Sequence, residues 1–244
     1  MNIPDDLAEA LRNARHVAVL TGSGISAESG IPTFREAQTG LWERYDPQQL
    51  ATPEAFDRDP ELVWNWYTWR RELVERAEPS AGHLALVELE TLVPDFTLIT
   101  QNVDGLHGRA GSSRVLELHG NITRTKCSVE GVLVEKYEED VTPPVCANCG
   151  APLRPDVVWF GEVLPAGVMK DAASAARSCD LFLSVGTSSL VYPAAGLPYE
   201  ALMHGATVVE VNPDETPLSA EAHYSLRGKA GDCLLALITT AFPS

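Results

Sequence analysis

Short runs of apolar and β-branched residues alternate along the chain with longer segments whose apolar residues recur at helical spacing. Five runs are predicted to be strands: HVAVLT (16–21), FTLIT (96–100), VLELH (115–119), LFLSVG (181–186) and TVVEV (207–211). Helices are expected at about residues 5–14, 61–77, 80–92, 167–178, 194–204 and 231–240. This alternation is typical of a parallel sheet covered by helices on both faces. We therefore predict an α/β fold with a doubly wound parallel sheet.

Two stretches interrupt the alternation and are predicted to form a smaller inserted lobe. Residues 36–79 are rich in Trp and Arg and contain one helix, whereas residues 121–156 hold three of the five cysteines among Gly and Pro residues. The larger domain would then comprise residues 1–35, 80–120 and 157–244. A chain of 244 residues is long enough for one such domain with an insertion.

Acidic residues dominate the charge, because 34 Asp and Glu against 18 Lys and Arg give a net charge of −16. Such a field repels the phosphates of nucleic acids and anionic membrane surfaces, so neither is expected as a partner. The N-terminal residues are acidic where a secretory signal needs basic residues, and no apolar run is long enough to span a bilayer. We expect a cytoplasmic protein. The sequence is compatible with a monomer but leaves the oligomeric state open.

Small and polar residues follow each predicted strand. They form the clusters GSGIS (22–26), QNVDG (101–105), His119-Gly120, GTSS (186–189) and NPD (212–214). Any one cluster could simply make a turn. Ligands of open α/β sheets bind outside the carboxyl ends of the strands, so five such clusters together favour a binding site at that edge.

The first cluster opens a glycine motif for dinucleotide binding. Gly22, Gly24 and Ala27 give the G-x-G-x-x-A form, in which glycines let the backbone approach a pyrophosphate. An ordinary hydride-transfer enzyme would show a strand ending in Asp or Glu about 20 residues later, and none follows here. The motif therefore argues against an ordinary dehydrogenase.

Longer motifs extend this pattern. The runs are GSGISAESGIPTFR (22–35), QNVDGLH (101–107), LHG (118–120), PLRPDVVWFGE (152–162), GTS (186–188), VYPAA (191–195) and a late Asn212. In this order they resemble the sirtuins, NAD-dependent protein-lysine deacylases, which usually show Ala where Ser23 stands. The resemblance covers nearly the whole chain. It implies a Rossmann-like domain that holds NAD, a small zinc-bearing lobe, and an acyl-lysine peptide or protein bound between them.

The resemblance also implies a role for individual residues. NAD would be bound by Gly22, Ser23, Gly24, Ala27, Phe34, Arg35, Gln101, Asn102, Asp104, Gly186, Thr187, Ser188, Asn212 and Ala230. His119 would be the general base, and Asn102 and Asp104 would assist catalysis. The acyl group would leave as O-acyl-ADP-ribose after nicotinamide is expelled. A neutral imidazole with a pKa of about 6.5 suits the base role, although a lone histidine is more often structural. The segment Val157, Val158, Trp159 and Phe160 would pair with the peptide by strand addition, or serve as core β-structure.

The predicted helix 61–77 bears on the choice of acyl group. Leu62, Trp66, Trp69 and Leu73 lie at helical spacing and are expected in the core. Tyr67 and Arg70, three residues apart, would present a hydroxyl and a guanidinium on an adjacent face, a pair that suits a carboxylate. In class III sirtuins this pair implies a preference for succinyl- and malonyl-lysine. The alternative is that Arg70 is neutralised by a nearby acid.

The cysteines depart from the sirtuin pattern of two Cys-x-x-Cys pairs around a structural zinc ion. Cys146 and Cys149 form an intact pair, but Cys127 is followed by Glu130 where the fourth cysteine would stand. A carboxylate can bind zinc, so Glu130 could complete a Cys₃Glu site. Equally, the lobe could be metal-free, with thiols as small apolar fillers.

Three functions remain open from the sequence. The first is NAD-dependent deacylation with a preference for acidic acyl groups. The second is plain deacetylation or ADP-ribosyl transfer to another acceptor. The third is a non-catalytic sensor of NAD or ADP-ribose, against which Asn102, Asp104 and His119 argue.

Overall fold

The structure is a computed structural model that describes residues 1–33, 46–138 and 140–243. Its α-helices are α1 (Asp5–Asn13), α2 (Ser23–Ala27), α3 (Pro47–Leu50), α4 (Pro53–Arg58), α5 (Pro60–Arg76), α6 (Ala81–Leu92), α7 (Leu106–Ala110), α8 (Ala166–Ser178), α9 (Leu197–Met203) and α10 (Ala230–Ala241). Its strands are β1 (His16–Thr21), β2 (Asp95–Thr100), β3 (Val115–Glu117), β4 (Gly120–Cys127), β5 (Leu153–Val157), β6 (Leu181–Val185), β7 (Thr207–Val211) and β8 (Tyr224–Leu226). Short 3₁₀ helices lie at Ala194–Gly196 and Pro217–Ala220. Among the described residues, no helix has the length and apolar character needed to cross a bilayer.

Six strands form one parallel sheet in the order β3-β2-β1-β6-β7-β8. The predicted α/β fold with a parallel sheet is confirmed. Two details differ. The predicted strand 115–119 ends at Glu117, so His119 lies beyond it. Strand β8 was not predicted, because three residues are too few for a periodic apolar pattern.

Alternate residues of the central strand β1 face opposite sides of the sheet. Val17 and Val19 pack in one core layer with α1, α6 and α10. Ala18 and Leu20 pack in the other with α8 and α9. Because both faces are covered, β1 reads as a continuous apolar run rather than an alternating one. Helices on both faces leave the carboxyl ends of the strands as the open edge.

A second, two-stranded antiparallel sheet is made by β4 and β5. The predicted insertion 121–156 supplies most of both strands and the cysteines that follow β4. The division of the chain into a larger domain and a smaller lobe stays a prediction.

Helix α5 lies beside this small sheet. Asp59 caps its start, since the Asp59 carboxylate accepts the Leu62 N–H at 3.0 Å. The expected core stripe is correct at Trp66, but Leu62, Trp69 and Leu73 are only partly buried. The other buried residues of α5 are Val63, Trp64, Tyr67 and Val74. The reason is that α5 is covered on more than one side: Trp64 packs in the cysteine-bearing cluster, whereas Trp66 and Tyr67 pack with Val157 and Trp159.

Candidate active site

A cleft of about 1450 Å³ opens at the carboxyl ends of β1, β2, β6 and β7. It is lined by every predicted NAD, catalytic and substrate residue that the structure describes: Gly22, Ser23, Gly24, Ala27, Tyr67, Arg70, Gln101, Asn102, Asp104, His119, Val157, Val158, Trp159, Phe160, Gly186, Thr187, Ser188, Asn212 and Ala230. The other two, Phe34 and Arg35, lie outside the described residues. The strand ends therefore meet as the sequence pattern predicts, while the individual roles of these residues stay predictions.

The loops that follow β1 and β6 meet at a distance that only glycine permits. A Cβ atom on Gly22 would lie 2.8 Å from the Gly186 carbonyl oxygen, and one on Gly24 would lie 2.7 Å from the Gly186 Cα. The Gly24 N–H donates to that carbonyl at 2.8 Å, and Gly186 has a φ of 61° that disfavours other residues. These glycines line the cleft with backbone atoms, so the residues present fit a pyrophosphate that must approach the chain closely.

A buried polar network lies next to this contact. The Asn102 side-chain amide donates to the Gly22 carbonyl at 3.0 Å and to Ser26 Oγ at 3.1 Å. Ser26 Oγ in turn donates to the Asp104 carboxylate at 2.7 Å, which also accepts the Leu106 N–H at 2.9 Å. The network holds Asn102 and Asp104, two of the predicted NAD-binding side chains, in fixed orientations. Sequence reasoning did not single out Ser26, although it lies within the GSGIS cluster.

Side chains also link the loops after β2, β6 and β7. The Gln101 amide donates to Thr187 Oγ1 at 2.9 Å, and the Asn212 amide donates to the Thr187 carbonyl at 2.8 Å. Thr187, in the loop after β6, is therefore hydrogen-bonded to the loops after β2 and β7.

The ring of His119 has a defined tautomer. Its Nδ1 lies 2.9 Å from the Gln101 carbonyl oxygen. A carbonyl can only accept, so Nδ1 carries the hydrogen and Nε2 is left as the basic nitrogen. Burial lowers the pKa of His119, against the opposing effect of the Gln101 hydrogen bond. The ring is therefore neutral at neutral pH and able to take a proton.

Two other histidines lie in the core behind the site. His83 and His107 are buried with ring centroids 4.7 Å apart. Burial lowers the pKa of His83 to about 4 and that of His107 to about 3. Both rings are engaged by buried hydroxyls, Ser80 at 2.8 Å and Thr21 at 2.8 Å respectively. Unlike His119, neither lines the cleft, so His119 is the histidine placed for chemistry there.

Tyr67 and Arg70 share one wall of the cleft. The Tyr67 hydroxyl oxygen accepts the Trp159 indole N–H at 3.0 Å, and burial raises the pKa of Tyr67 to about 12. The Arg70 guanidinium lies 5.0 Å from the centre of the Trp66 ring. Burial lowers the pKa of Arg70, an effect opposed by Tyr67 and Asp104, yet an arginine keeps its charge in proteins.

The segment predicted to bind the peptide, Val157–Phe160, begins at the end of β5. Regular structure ends at Val157, and the chain turns at Phe160 and Gly161. Three backbone N–H groups already donate within the chain: those of Val158 to the His119 carbonyl, Trp159 to the Glu162 carboxylate and Phe160 to the Ala51 carbonyl. These N–H groups hold the segment Val158–Phe160 against its neighbours, and its role in binding a peptide stays a prediction.

The cysteines and Glu130 form one cluster. Ligand atoms of Cys127, Glu130, Cys146 and Cys149 all lie within 4.8 Å of one another. The Cys127 and Cys149 sulfurs are 3.4 Å apart, and Cys146 Sγ lies 3.6 Å from Glu130 Oε2. The Glu130 N–H donates to Cys127 Sγ at 3.4 Å and lowers the pKa of that thiol. Three sulfurs and one carboxylate at this spacing fit a tetrahedral zinc ion, with Glu130 in the place of the fourth cysteine.

Comparison with known proteins identifies the family. The Sir2 family model matches residues 22–193. The chain is 52% identical over 247 residues to an NAD-dependent protein deacylase of Methylococcus capsulatus, covering 98% of this chain and 97% of that one. A crystal structure of a Sir2 homologue–NAD complex has a TM-score of 0.92 and 46% identity, over 98% of this chain and 94% of that one. A Sir2–p53 peptide–NAD⁺ complex has a TM-score of 0.88 and 31% identity over the full length of both. The chain belongs to the Sir2 family, and the resemblance to sirtuins is confirmed.

The metal cluster can be tested without any activity assay. We expect elemental analysis to find one zinc ion per chain. Replacing Glu130 by Ala should weaken zinc binding by more than about tenfold, the loss that removing an outer partner of a metal ligand already causes. Glu130→Cys should strengthen it, because a fourth thiolate completes the site. Chelator competition measures each affinity. Glu135→Ala, an exposed acid in the same segment, is the control.

Zinc-free wild-type protein would mean that the segment folds by packing alone. Equal zinc affinity in wild type and Glu130→Ala would show that the carboxylate is not a ligand.

Proposed function

We propose that this Sir2-family chain, an NAD-dependent protein deacylase, removes succinyl and malonyl groups from lysine side chains in preference to acetyl groups. One observation carries the proposal: Tyr67 and Arg70, three residues apart on α5, line the same cleft as His119. A hydroxyl donor beside a guanidinium suits a carboxylate at the far end of an acyl chain. An acetyl group has no carboxylate to offer these two donors.

In this proposal the cleft residues have three roles: binding the phosphates, binding the ribose and transferring a proton. Backbone at Gly22, Gly24 and Gly186 accommodates the phosphates of NAD, and Asn102 and Asp104 hold its ribose. Bound NAD supplies the ADP-ribose that accepts the acyl group and the nicotinamide that leaves. His119 takes up a proton at Nε2 while its Nδ1–H stays on the Gln101 carbonyl.

In this proposal, Arg70 recognises the negative charge of the acyl group. It lies on α5, whereas His119 follows β3, so different elements carry recognition and proton transfer. Asp104 also acts on Arg70 electrostatically, but it is held by Ser26 and the Leu106 N–H. A substrate carboxylate would add to the compensation of a guanidinium that burial has partly desolvated.

The base role of His119 predicts both a variant effect and a pH profile. His119→Asn should lower turnover by about 10²- to 10⁴-fold while NAD affinity is retained. In wild type, kcat/KM should be level near neutral pH and fall as His119 becomes protonated in acid. Because the pKa is lowered, this fall should begin below the pKa of about 6.5 of a free imidazole. An acetyl-lysine peptide should be used, since its acyl group does not titrate.

The matched control is His204→Asn, since His204 is exposed on the surface outside the cleft and should leave turnover and the pH profile unchanged. Retention of wild-type turnover in His119→Asn would contradict the assignment of the base.

Removal of the guanidinium tests the acyl preference. Arg70→Met should raise the KM for a succinyl-lysine peptide by about tenfold or more, as expected for losing a hydrogen bond to a charged group of about 1.5–3 kcal/mol. The KM for the matched acetyl-lysine peptide should change far less. Steady-state kinetics with both peptides at saturating NAD measures the two effects.

Arg76→Met provides the same chemical change on the same helix, at a side chain that is 75% exposed and pairs with Glu72 at the surface. It should change neither KM. Equal effects of Arg70→Met on both peptides would rule out recognition of the carboxylate by Arg70.

A further inference from the structure

The Trp159 side chain is hydrogen-bonded to Tyr67. This bond is separate from any role of the Trp159 backbone in peptide binding. The indole N–H donates to the Tyr67 hydroxyl oxygen at 3.0 Å, and the two residues are only 2% and 3% exposed. An indole nitrogen can only donate, so the phenol oxygen accepts and its own hydrogen is not used in this bond. Within the described part of the chain, this is the one hydrogen bond that the Tyr67 hydroxyl makes.

The position of the Trp159 indole is itself fixed by a charged pair. Arg154 binds the Glu162 carboxylate with two hydrogen bonds of 2.6 and 2.9 Å, and its guanidinium lies 3.2 Å from the centre of the Trp159 ring. The same carboxylate accepts the Trp159 backbone N–H at 2.8 Å. Although burial opposes it, the Arg154 and Trp159 hydrogen bonds lower the pKa of Glu162, so the pair stays charged. Phe56 packs against the indole, with ring centroids 5.2 Å apart.

We infer that Trp159 is a positioning residue for acyl-group recognition: it occupies the acceptor side of the Tyr67 hydroxyl and so turns the hydroxyl hydrogen toward a carboxylate in the cleft. The inference rests on the proposed preference for acidic acyl groups. A phenol O–H lies near the ring plane and has two favoured directions. The indole hydrogen disfavours the one that points at it, because two hydrogens would then face each other.

This arrangement makes Tyr67 a donor before any substrate binds. The raised pKa of Tyr67, about 12, means that the phenol keeps its hydrogen at neutral pH. Orientation in advance avoids the entropy cost of ordering the group on binding. Arg70 then supplies charge and Tyr67 supplies a directed hydrogen bond to the same carboxylate.

A double-mutant cycle tests the inference. The quantity measured is the ratio of kcat/KM for succinyl-lysine to that for acetyl-lysine in otherwise identical peptides. Tyr67→Phe should lower this ratio by about tenfold, and Trp159→Phe by about three- to tenfold. Because Trp159 acts through the Tyr67 hydroxyl, the double variant should match Tyr67→Phe alone. Trp64→Phe, a buried tryptophan of the same helix outside the cleft, should leave the ratio unchanged.

A second measurement does not depend on turnover. The indole ¹⁵N–¹H resonance of Trp159, assigned by its loss in Trp159→Phe, should move in Tyr67→Phe because its acceptor is gone. If Trp159→Phe fails to fold, the Trp159 resonance is assigned by elimination, through Phe substitution of the other four tryptophans one at a time, and its shift is then read in Tyr67→Phe.

The outcomes separate the two proposals. A wild-type ratio that does not favour succinyl-lysine would contradict the proposed function itself. A preserved preference with additive effects of the two substitutions, or an indole resonance that does not move in Tyr67→Phe, would contradict only the role of Trp159.

Discussion

The close contact between the loops after β1 and β6 is the constraint on which the site depends. Those strands are neighbours in the sheet, and Gly22, Gly24 and Gly186 let their loops touch backbone to backbone. The side chains of the site are tied to these loops: Asn102 binds the Gly22 carbonyl, and Asn212 binds the Thr187 carbonyl. A methyl group at any of the three glycines would force the loops apart and move these partners with them.

Burial shifts the pKa of three side chains to which we assign a role in catalysis or recognition. His119 is neutral with its basic Nε2 available, and Tyr67 keeps its proton far above neutral pH. Arg70 retains its charge in the cleft wall. In the proposed mechanism the base, His119, follows strand β3, whereas Tyr67 and Arg70 lie on α5 and Trp159, just after β5, binds Tyr67. Under this proposal, substitution on α5 or at Trp159 changes the acyl preference without altering the base.

The sequence predicted the parallel sheet and the gathering of its strand ends, because buried strands and glycine turns leave strong local signals. It missed β8, which is too short to show a period, and it misjudged the α5 stripe because that helix is covered on more than one side. It also missed Ser26 as a link between Asn102 and Asp104, and the bond from Trp159 to Tyr67. Such bonds join residues up to 92 positions apart, and no local pattern encodes them. The spacing of the cysteines alone left two alternatives, a zinc site completed by Glu130 and a lobe without metal. The structure brings the four ligand atoms of the first alternative together.

The most direct test of the account is a competition between two peptides that differ only in the acyl group. Wild-type protein is incubated with equal amounts of succinyl-lysine and acetyl-lysine peptide, with and without NAD, and peptide masses and free nicotinamide are followed by mass spectrometry. We predict NAD-dependent loss of succinyl groups well ahead of acetyl groups, with one nicotinamide released for each acyl group removed. Faster loss of acetyl groups, or no loss of either, would contradict it.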